Sequence, residues 1–438
     1  MSDMQIQDST SILELAQGAV SRSLQIRTGK NRFREQPYQY TLPRADGTES
    51  KFVIRKENVI VSLMVAPRRC GKTTLMVSII NEFGRIMGED FAIEPVSQDK
   101  VEKIDARQSA LQQFSNAPIF YSGIEASDSL EFYEFLIYSR QHPRNAFLYR
   151  FVDVPGEWVS TFPSAMRTLI EGSDVLYMTI NAPAMLEEDG QYCQEINAPQ
   201  NILQLTDVLC SPEAARRRRL MLFVPVKCEK YYWDAHANRD ERMLAPVADG
   251  VEELFRPLLD KIRAVDAVRN SLTVAITPIL TVGGVKFSQF HRVMQETEQG
   301  PVPAIIEEYV RINGYINDKD GYSPRLCEQP LLYTMRFVTE MILTRLRQQT
   351  LRSFFADASQ YGMKKALGYA FRDPLYSKLV EVTRLADFQG FQSFSDYLET
   401  ESPSCHQAAK KLPLGVYVGS EPLGMRVLND PQGLFSAR

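Results

Sequence analysis

The sequence has few of the residues that build disulfide frameworks, zinc sites and histidine-based active sites. Its six cysteines are scattered without a CxxC pair, and its four histidines lie far apart. This distribution argues against a zinc site, and it is typical of a protein in a reducing compartment, so we expect a cytoplasmic location. The cysteines are Cys70, Cys193, Cys210, Cys228, Cys327 and Cys405, and the histidines are His142, His236, His291 and His406.

Long apolar runs and an excess of positive charge are also missing. No stretch approaches the roughly 18 uncharged apolar residues of a transmembrane helix, so no membrane span is expected. The first residues, MSDMQIQDST, lack the basic and apolar regions of a secretory signal. The formal net charge is −4 over 438 residues. A nucleic-acid partner is therefore not expected.

What the chain does have is an alternation of apolar strands and amphipathic helices. Strands are predicted at 58–66, 132–138, 146–154, 175–181, 220–226 and 272–280, and helices at 10–25, 73–87, 100–114, 163–172, 195–210, 248–268, 301–311 and 330–348. The alternation predicts a three-layer α/β fold with a mostly parallel sheet, and the short loop after residue 138 predicts one antiparallel strand.

Three regions follow from this pattern. Residues 1–57 form an N-terminal helix and a connecting arm, and residues 58–350 form the α/β domain, with an insertion at about 89–130. Residues 351–438 form a mixed C-terminal extension, whose last thirty or so residues are rich in Pro and Gly and are expected to be irregular.

The stretch APRRCGKTT joins the first strand of this domain to a helix. It fits the phosphate-loop spacing GxxxxGK[ST] except at its first position, where Ala66 replaces glycine. Backbone N–H groups, a lysine and a hydroxyl are what a nucleotide phosphate and its Mg²⁺ need at such a junction. The candidate nucleotide-binding residues are Ala66, Arg68, Arg69, Cys70, Gly71, Lys72, Thr73 and Thr74.

Some residues of this loop have two interpretations. Cys70 is either a small residue that the loop tolerates, which we favour, or a redox-controlled thiol at a helix N-terminus. Arg68 and Arg69 either face solvent, which we favour, or contact phosphate or a partner.

A second motif, DVPGEW, follows the strand at 146–152. Asp153 at the end of a strand can hold Mg²⁺, together with Thr73, and the N–H of Gly156 can sense a γ-phosphate. Glu157 either orients the attacking water or is a carboxylate at the start of a helix, and the sequence does not separate the two. Lys72, Asp153, Gly156 and Glu157 are the candidate catalytic residues.

The order of phosphate loop, helix, strand hairpin and DxxG resembles P-loop GTPases of the translation-factor-related (TRAFAC-like) class, over residues 58–350. DVPGEW resembles the switch of YcjX-like GTPases and of the double-GTPase families of bacterial conflict systems. The resemblance implies a G-domain that binds and hydrolyses GTP with Mg²⁺. It also implies a switch in a bacterial defence or stress-related system, with partner proteins encoded nearby.

Such GTPases read guanine with [NT]KxD after a later strand, where this chain has Val226, Lys227, Cys228 and Glu229. Thr281, Val282 and Gly283 follow the next strand, and their backbone N–H groups are candidates for contacts to the base.

Two departures from the family pattern keep other functions open. Val226 and Glu229 leave an ATPase of the same fold as an alternative. No threonine occurs between Thr74 and Thr161, so Ser122, Ser127 or Ser129 would have to replace the switch I threonine. That absence leaves a nucleotide-bound scaffold with little or no hydrolysis as a further alternative.

Overall fold

The structure is a computed structural model that describes residues 3–29, 32–43, 49–67, 70–87, 91–116, 119–121, 129–139, 146–240, 242–297, 300–312, 322–334, 337–338, 425–431, 433 and 435. Within these residues, no helix has the length and apolar character needed to cross a membrane.

The strands are β1 (Leu24–Gly29), β2 (Arg32–Gln36), β3 (Tyr38–Pro43), β4 (Glu49–Ile54), β5 (Val59–Val65), β6 (Phe91–Pro95), β7 (Ile119–Tyr121), β8 (Glu131–Ser139), β9 (Ala146–Asp153), β10 (Val175–Asn181), β11 (Arg219–Val226), β12 (Leu272–Ile276), β13 (Val285–Thr297), β14 (Gly300–Arg311) and β15 (Arg426–Asn429).

The helices are α1 (Asp3–Ala19), α2 (Lys72–Met87), α3 (Gln98–Asn116), α4 (Trp158–Thr161), α5 (Pro163–Gly172), α6 (Ala182–Leu186), α7 (Cys193–Ile196), α8 (Pro199–Gln204), α9 (Thr206–Leu209), α10 (Pro212–Ala215), α11 (Glu229–Asn238), α12 (Ala245–Leu254), α13 (Arg256–Ala264) and α14 (Asp266–Arg269), with 3-10 turns at Lys56–Asn58 and Glu187–Gly190.

Eight strands form the central sheet in the order β15-β12-β11-β10-β5-β9-β8-β6. The five strands from β12 to β9 run parallel to one another. β8 is antiparallel to β9, as the hairpin pattern predicted, and β15 is antiparallel to β12 at the other edge. Apart from that additional reversed strand, the predicted three-layer P-loop NTPase-like fold is confirmed.

Successive residues of the central strands supply two cores, one on each face of the sheet. Ile60 and Met64 of β5 join the core that contains α2 and α3, while Val61 and Leu63 join the core that contains α5 and α13. Burying each such side chain contributes about 1.5–3 kcal/mol, and burial on both faces explains the continuous apolar runs of these strands.

An ion pair fastens the N-terminal segment to the amino-terminal edge of the sheet. The guanidinium of Arg22 lies 2.6 Å from the carboxylate of Asp174, which also accepts from Arg217 at 2.7 Å and from the N–H of Val61 at 3.0 Å. These cations and the N–H hold the pKa of the fully buried Asp174 below its usual value, although burial alone would raise it.

The largest difference from the predicted elements lies after residue 284. The predicted helix at 301–311 is wrong, because these residues form β14, which pairs with β13 over its whole length and with β7. Pro301, Pro303 and the β-branched Ile305 and Ile306 suit a strand, and pairing along β13 decides the conformation. The resulting three-stranded sheet, β13-β14-β7, is separate from the central one.

Other differences concern where elements begin and end. The predicted helix at 248–268 is divided into α12, α13 and α14, and the helical segment at 195–210 is divided into short helices. The strand predicted to reach residue 280 ends at Ile276, although the N–H groups of Thr277 and Ile279 still donate to the carbonyls of Phe223 and Pro225 in β11.

The outer regions are also more ordered than predicted. In the arm, β1 pairs with β2 and β3 pairs with β4, both antiparallel, and β6, from the predicted insertion, is an edge strand of the central sheet. The end of the chain was expected to be irregular, but its residues 426–429 form β15, which pairs with β12 in that sheet. Residues 329–334 and 337–338 are helical, and the rest of the helix predicted to residue 348 lies outside the described residues.

Candidate functional site

The candidate residues meet at the carboxyl edge of the central sheet. Asp153 ends β9 and pairs in register with Met64 of β5, just before the loop that begins at Ala66. Asn181 ends β10 and lies opposite Val226, the last residue of β11. Because these strands are parallel, the segments that leave them form one continuous rim, where α/β proteins bind ligands.

Gly71 lets the phosphate loop turn into α2. Its φ is +86°, a conformation that suits glycine, and its carbonyl accepts from the N–H of Leu75 at 2.8 Å. A Cβ at Gly71 would lie 3.5 Å from Val226 and 3.9 Å from Cε of Lys227, so this loop packs against the segment after β11. Arg68 and Arg69 lie outside the described residues.

Lys72 connects the two predicted motifs. Its Nζ donates to the carbonyl of Ala66 at 2.9 Å and to the carbonyl of Val154 at 2.7 Å. The same nitrogen lies 4.0 Å from a carboxylate oxygen of Asp153, and the lysine side chain is buried. An ammonium that is held by neutral carbonyls can also bind phosphate oxygens, because charged oxygens are stronger acceptors.

Thr73 and Asp153 bring a hydroxyl oxygen and a carboxylate oxygen close together. The Thr73 hydroxyl donates to Oδ2 of Asp153 at 3.4 Å, and both side chains are buried. A hydroxyl and a carboxylate suit Mg²⁺, which takes few protein ligands and completes its shell with phosphate and water oxygens. Among the described residues, no group of three or more His, Cys, Asp or Glu side chains could hold a metal ion. Thr74 follows, half-buried, in the first turn of α2.

The segment after Asp153 is a tight turn into α4. The N–H of Trp158 donates to the carbonyl of Pro155 at 3.0 Å, and Gly156 is buried between them. Glu157 is half-buried immediately before the helix, which agrees with both interpretations of this carboxylate. The Trp158 ring packs edge-on against Phe162 at 5.5 Å, so it is part of the core.

Glu229 lies across the rim from the phosphate loop, buried at the start of α11. Its Oε1 accepts from the N–H of Val282 at 2.8 Å, the N–H of Gly283 at 3.3 Å and the Thr281 hydroxyl at 3.4 Å. Burial raises the pKa of this carboxyl. Oε2 is buried without a hydrogen-bond partner among the described residues. The N–H groups of Val282 and Gly283, two of the three candidates for contacts to the base, are therefore directed at Glu229.

Gly283 allows a close approach of the Ser323 carbonyl. Its φ is +91°, and a Cβ there would lie 1.7 Å from the carbonyl oxygen of Ser323. Its own carbonyl accepts from the indole of Trp233 at 2.7 Å. The space beside its α-carbon is filled by Ser323 of the same chain.

Lys227 contacts a residue that sequence reasoning missed. Its ammonium pairs with Oε2 of Glu307 on β14, and the amide of Asn181 donates to Oε1 of the same carboxylate. The Tyr309 hydroxyl donates to Oε2 at 2.9 Å. No sequence signal indicates these contacts, because Glu307 lies 80 residues after Lys227 along the chain, in a segment with a helix-like pattern.

Cys70 is connected to the same cluster through Asn197. The thiol lies 3.1 Å from the carbonyl of Ile196 and 3.8 Å from the amide oxygen of Asn197. Asn197 exchanges hydrogen bonds with the backbone of Asn181 at 2.7 and 3.0 Å. Burial raises the pKa of Cys70 to about 12, which favours the small-residue interpretation over a reactive thiol.

No described contact brings the candidates for the switch I position to Thr73 or Asp153. Ser129 is exposed just before β8, and Ser122 and Ser127 lie outside the described residues.

Comparison with known proteins adds little to this geometry. No protein-family model matches the chain, and no curated protein matches it. Among solved structures, one match is a crystal structure of sup35 complexed with GDP, with 12% identity and a TM-score of 0.21. The match covers 51% of this chain and 37% of that one. A TM-score of this size supports no inference about the site.

Proposed function

We propose that the chain binds a guanine nucleotide at this rim and hydrolyses the triphosphate in a Mg²⁺-dependent reaction. The observation that carries the proposal is the convergence of Lys72, Thr73 and Asp153 from two neighbouring strand ends. A lysine, a hydroxyl and a carboxylate at a helix N-terminus are the groups that bind phosphates and their metal.

In this proposal Lys72 leaves the carbonyls of Ala66 and Val154 and binds the β- and γ-phosphates. Thr73 and Asp153 hold the metal, which would neutralise the charge on the phosphates. The N–H of Gly156 faces the γ-phosphate. Loss of that contact on hydrolysis would release the loop around 156–162, which gives a two-state switch.

In this proposal, Lys227 and Glu229 bind the base of the nucleotide. The buried Oε2 of Glu229 supports a ligand with N–H donors, because a buried carboxylate oxygen gains most from a donor that reaches it. Guanine presents such donors on its N1 and 2-amino groups, whereas adenine has an acceptor at N1. Guanine is therefore favoured, and ATP is the second candidate because Val226 lacks a polar group.

The test is titration of the full chain with fluorescent GTP, GDP and ATP in the presence of Mg²⁺, with each unlabelled nucleotide as competitor. Lys72→Ala should weaken binding by roughly 10- to 100-fold, since a charged hydrogen bond contributes about 1.5–3 kcal/mol. Lys103→Ala is the matched control, because Lys103 is an exposed lysine of α3 that pairs with Glu131. Equal affinity of the two variants would reject the phosphate-loop assignment.

A scaffold that binds nucleotide without turnover is the second functional candidate. It is favoured by the missing threonine and by the negative charge of Glu157, which would oppose a γ-phosphate. Phosphate release measured at saturating GTP separates this candidate from a GTPase.

We also propose, from the sequence resemblance, that the switch acts within a bacterial defence or stress-related system with partner proteins encoded nearby. Co-purification of the chain with those proteins, in the presence of GTP or GDP, tests this role. The division at residues 57 and 350 is likewise a proposal, and limited proteolysis tests it.

A further inference from the structure

Glu307 is a buried carboxylate that the proposed chemistry does not use. Only 3% of the surface of Glu307 is exposed to solvent. Three side chains from different parts of the chain reach it: Lys227 after β11, Asn181 at the end of β10 and Tyr309 on β14 itself. Burying a carboxylate costs free energy, and the hydrogen bonds from these three donors offset part of that cost.

The Lys227 side chain is fixed at both ends. Its backbone has a φ of +61°, which is uncommon for a residue with a side chain, and its ammonium is held by Glu307. Between these ends, Cε lies 3.9 Å from the position of a Cβ on Gly71. The aliphatic part of Lys227 therefore lies along the phosphate loop.

We propose that Glu307 is a positioning residue, which holds the Lys227 side chain along the phosphate loop so that its aliphatic part covers one face of the nucleotide base. The inference rests on the proposed nucleotide binding and deepens it, because it makes β14 part of the base-binding site. Without Glu307, the lysine side chain has more conformational entropy to lose on binding, which weakens the complex.

The experiment measures GDP affinity for the full chain and its variants by fluorescence titration, with thermal unfolding of each variant in parallel. Glu307→Gln should weaken GDP binding by about tenfold, as expected for loss of one charged hydrogen bond. Glu308→Gln is the matched control. Its carboxylate is next on β14, faces the other way and contacts His291, so GDP binding should stay within about twofold.

A double variant distinguishes a positioning role of Glu307 from a general loss of stability. If Glu307 acts through Lys227, then Glu307→Gln should have no further effect on GDP affinity in a chain that already carries Lys227→Ala. Full additivity of the two losses would overturn the proposal, as would tighter GDP binding by Glu307→Gln, which would mean that Glu307 sequesters the lysine.

A second variant keeps the proposal testable if Glu307→Gln does not fold. Lys227→Met retains an apolar side chain and loses the group that Glu307 holds, so it should also bind GDP about tenfold more weakly. Unchanged affinity would overturn the positioning role. If the unmodified chain and Glu308→Gln bind no nucleotide, the proposed function itself fails, and this result differs from each outcome that concerns Glu307 alone.

Discussion

Asn181 and Val226 lie opposite each other at the ends of the neighbouring parallel strands β10 and β11. The side chain of Val226 is apolar and fully buried, whereas Asn181 places an amide at the same level of the sheet. That amide accepts from the N–H of Ala184 at 2.9 Å and donates to Glu307. β11 ends in the apolar Val226, where the [NT]KxD pattern has a polar residue, and the adjacent strand β10 places the amide of Asn181 at the same level.

Replacing Asn181 with Asp should make stability more sensitive to pH. Two neighbouring carboxyls raise the pKa of the pair in the folded state, and a raised pKa contributes stability at low pH that is lost as the pH rises. The variant should lose about 2 kcal/mol or more relative to the unmodified chain at about pH 8, and less at about pH 5.5. Urea unfolding at both values tests this, with the exposed Asn238→Asp as control. A pH-independent loss would contradict it.

Glu157→Gln separates the two interpretations of the carboxylate beside Gly156. If Glu157 orients water or accepts its proton, phosphate release should fall by about 100-fold or more while GTP affinity stays the same. If it is only a charge at the start of α4, turnover should remain within a few-fold. The measurement is single-turnover hydrolysis, and Glu171→Gln, in α5, is the control.

Cys70 should resist alkylation in the folded chain. A pKa of about 12 leaves roughly one thiol in ten thousand ionised at pH 8, and burial blocks access as well. Labelling with iodoacetamide followed by peptide mass spectrometry should modify the half-buried Cys210 before Cys70. Rapid modification of Cys70, together with loss of nucleotide binding, would instead support redox control.

Gly283→Ala should be strongly destabilising. The φ of +91° and the 1.7 Å approach to the Ser323 carbonyl act together, and we expect a loss of about 3 kcal/mol or more. Gly433→Ala is a matched control, since its φ is +62° and nothing lies within 4 Å of the added Cβ. It should lose only about 1–2 kcal/mol. Similar urea midpoints for the two variants would show that the contact with Ser323 contributes nothing.

The central sheet could be predicted because its signal is local. β5, β10 and β11 are continuous apolar runs, and α2 begins where the phosphate-loop spacing places a helix. The hairpin β13–β14 could not be predicted in this way, because its conformation depends on pairing between distant residues. The place of Glu307 beside Lys227 depends on that same pairing, so its contacts become visible only in the folded chain.

β14 joins two parts of the molecule that are far apart in sequence. Glu307 contacts Lys227 beside the phosphate loop, and the next three residues pair with Tyr121, Phe120 and Ile119 of β7, in the region that precedes β8. If binding at β7 and nucleotide binding beside Lys227 affect each other, thermodynamic linkage requires the two effects to be equal. A protein that binds β7 more tightly when GDP is present must tighten GDP binding by the same factor, so a partner's preference among nucleotides can be measured from either side.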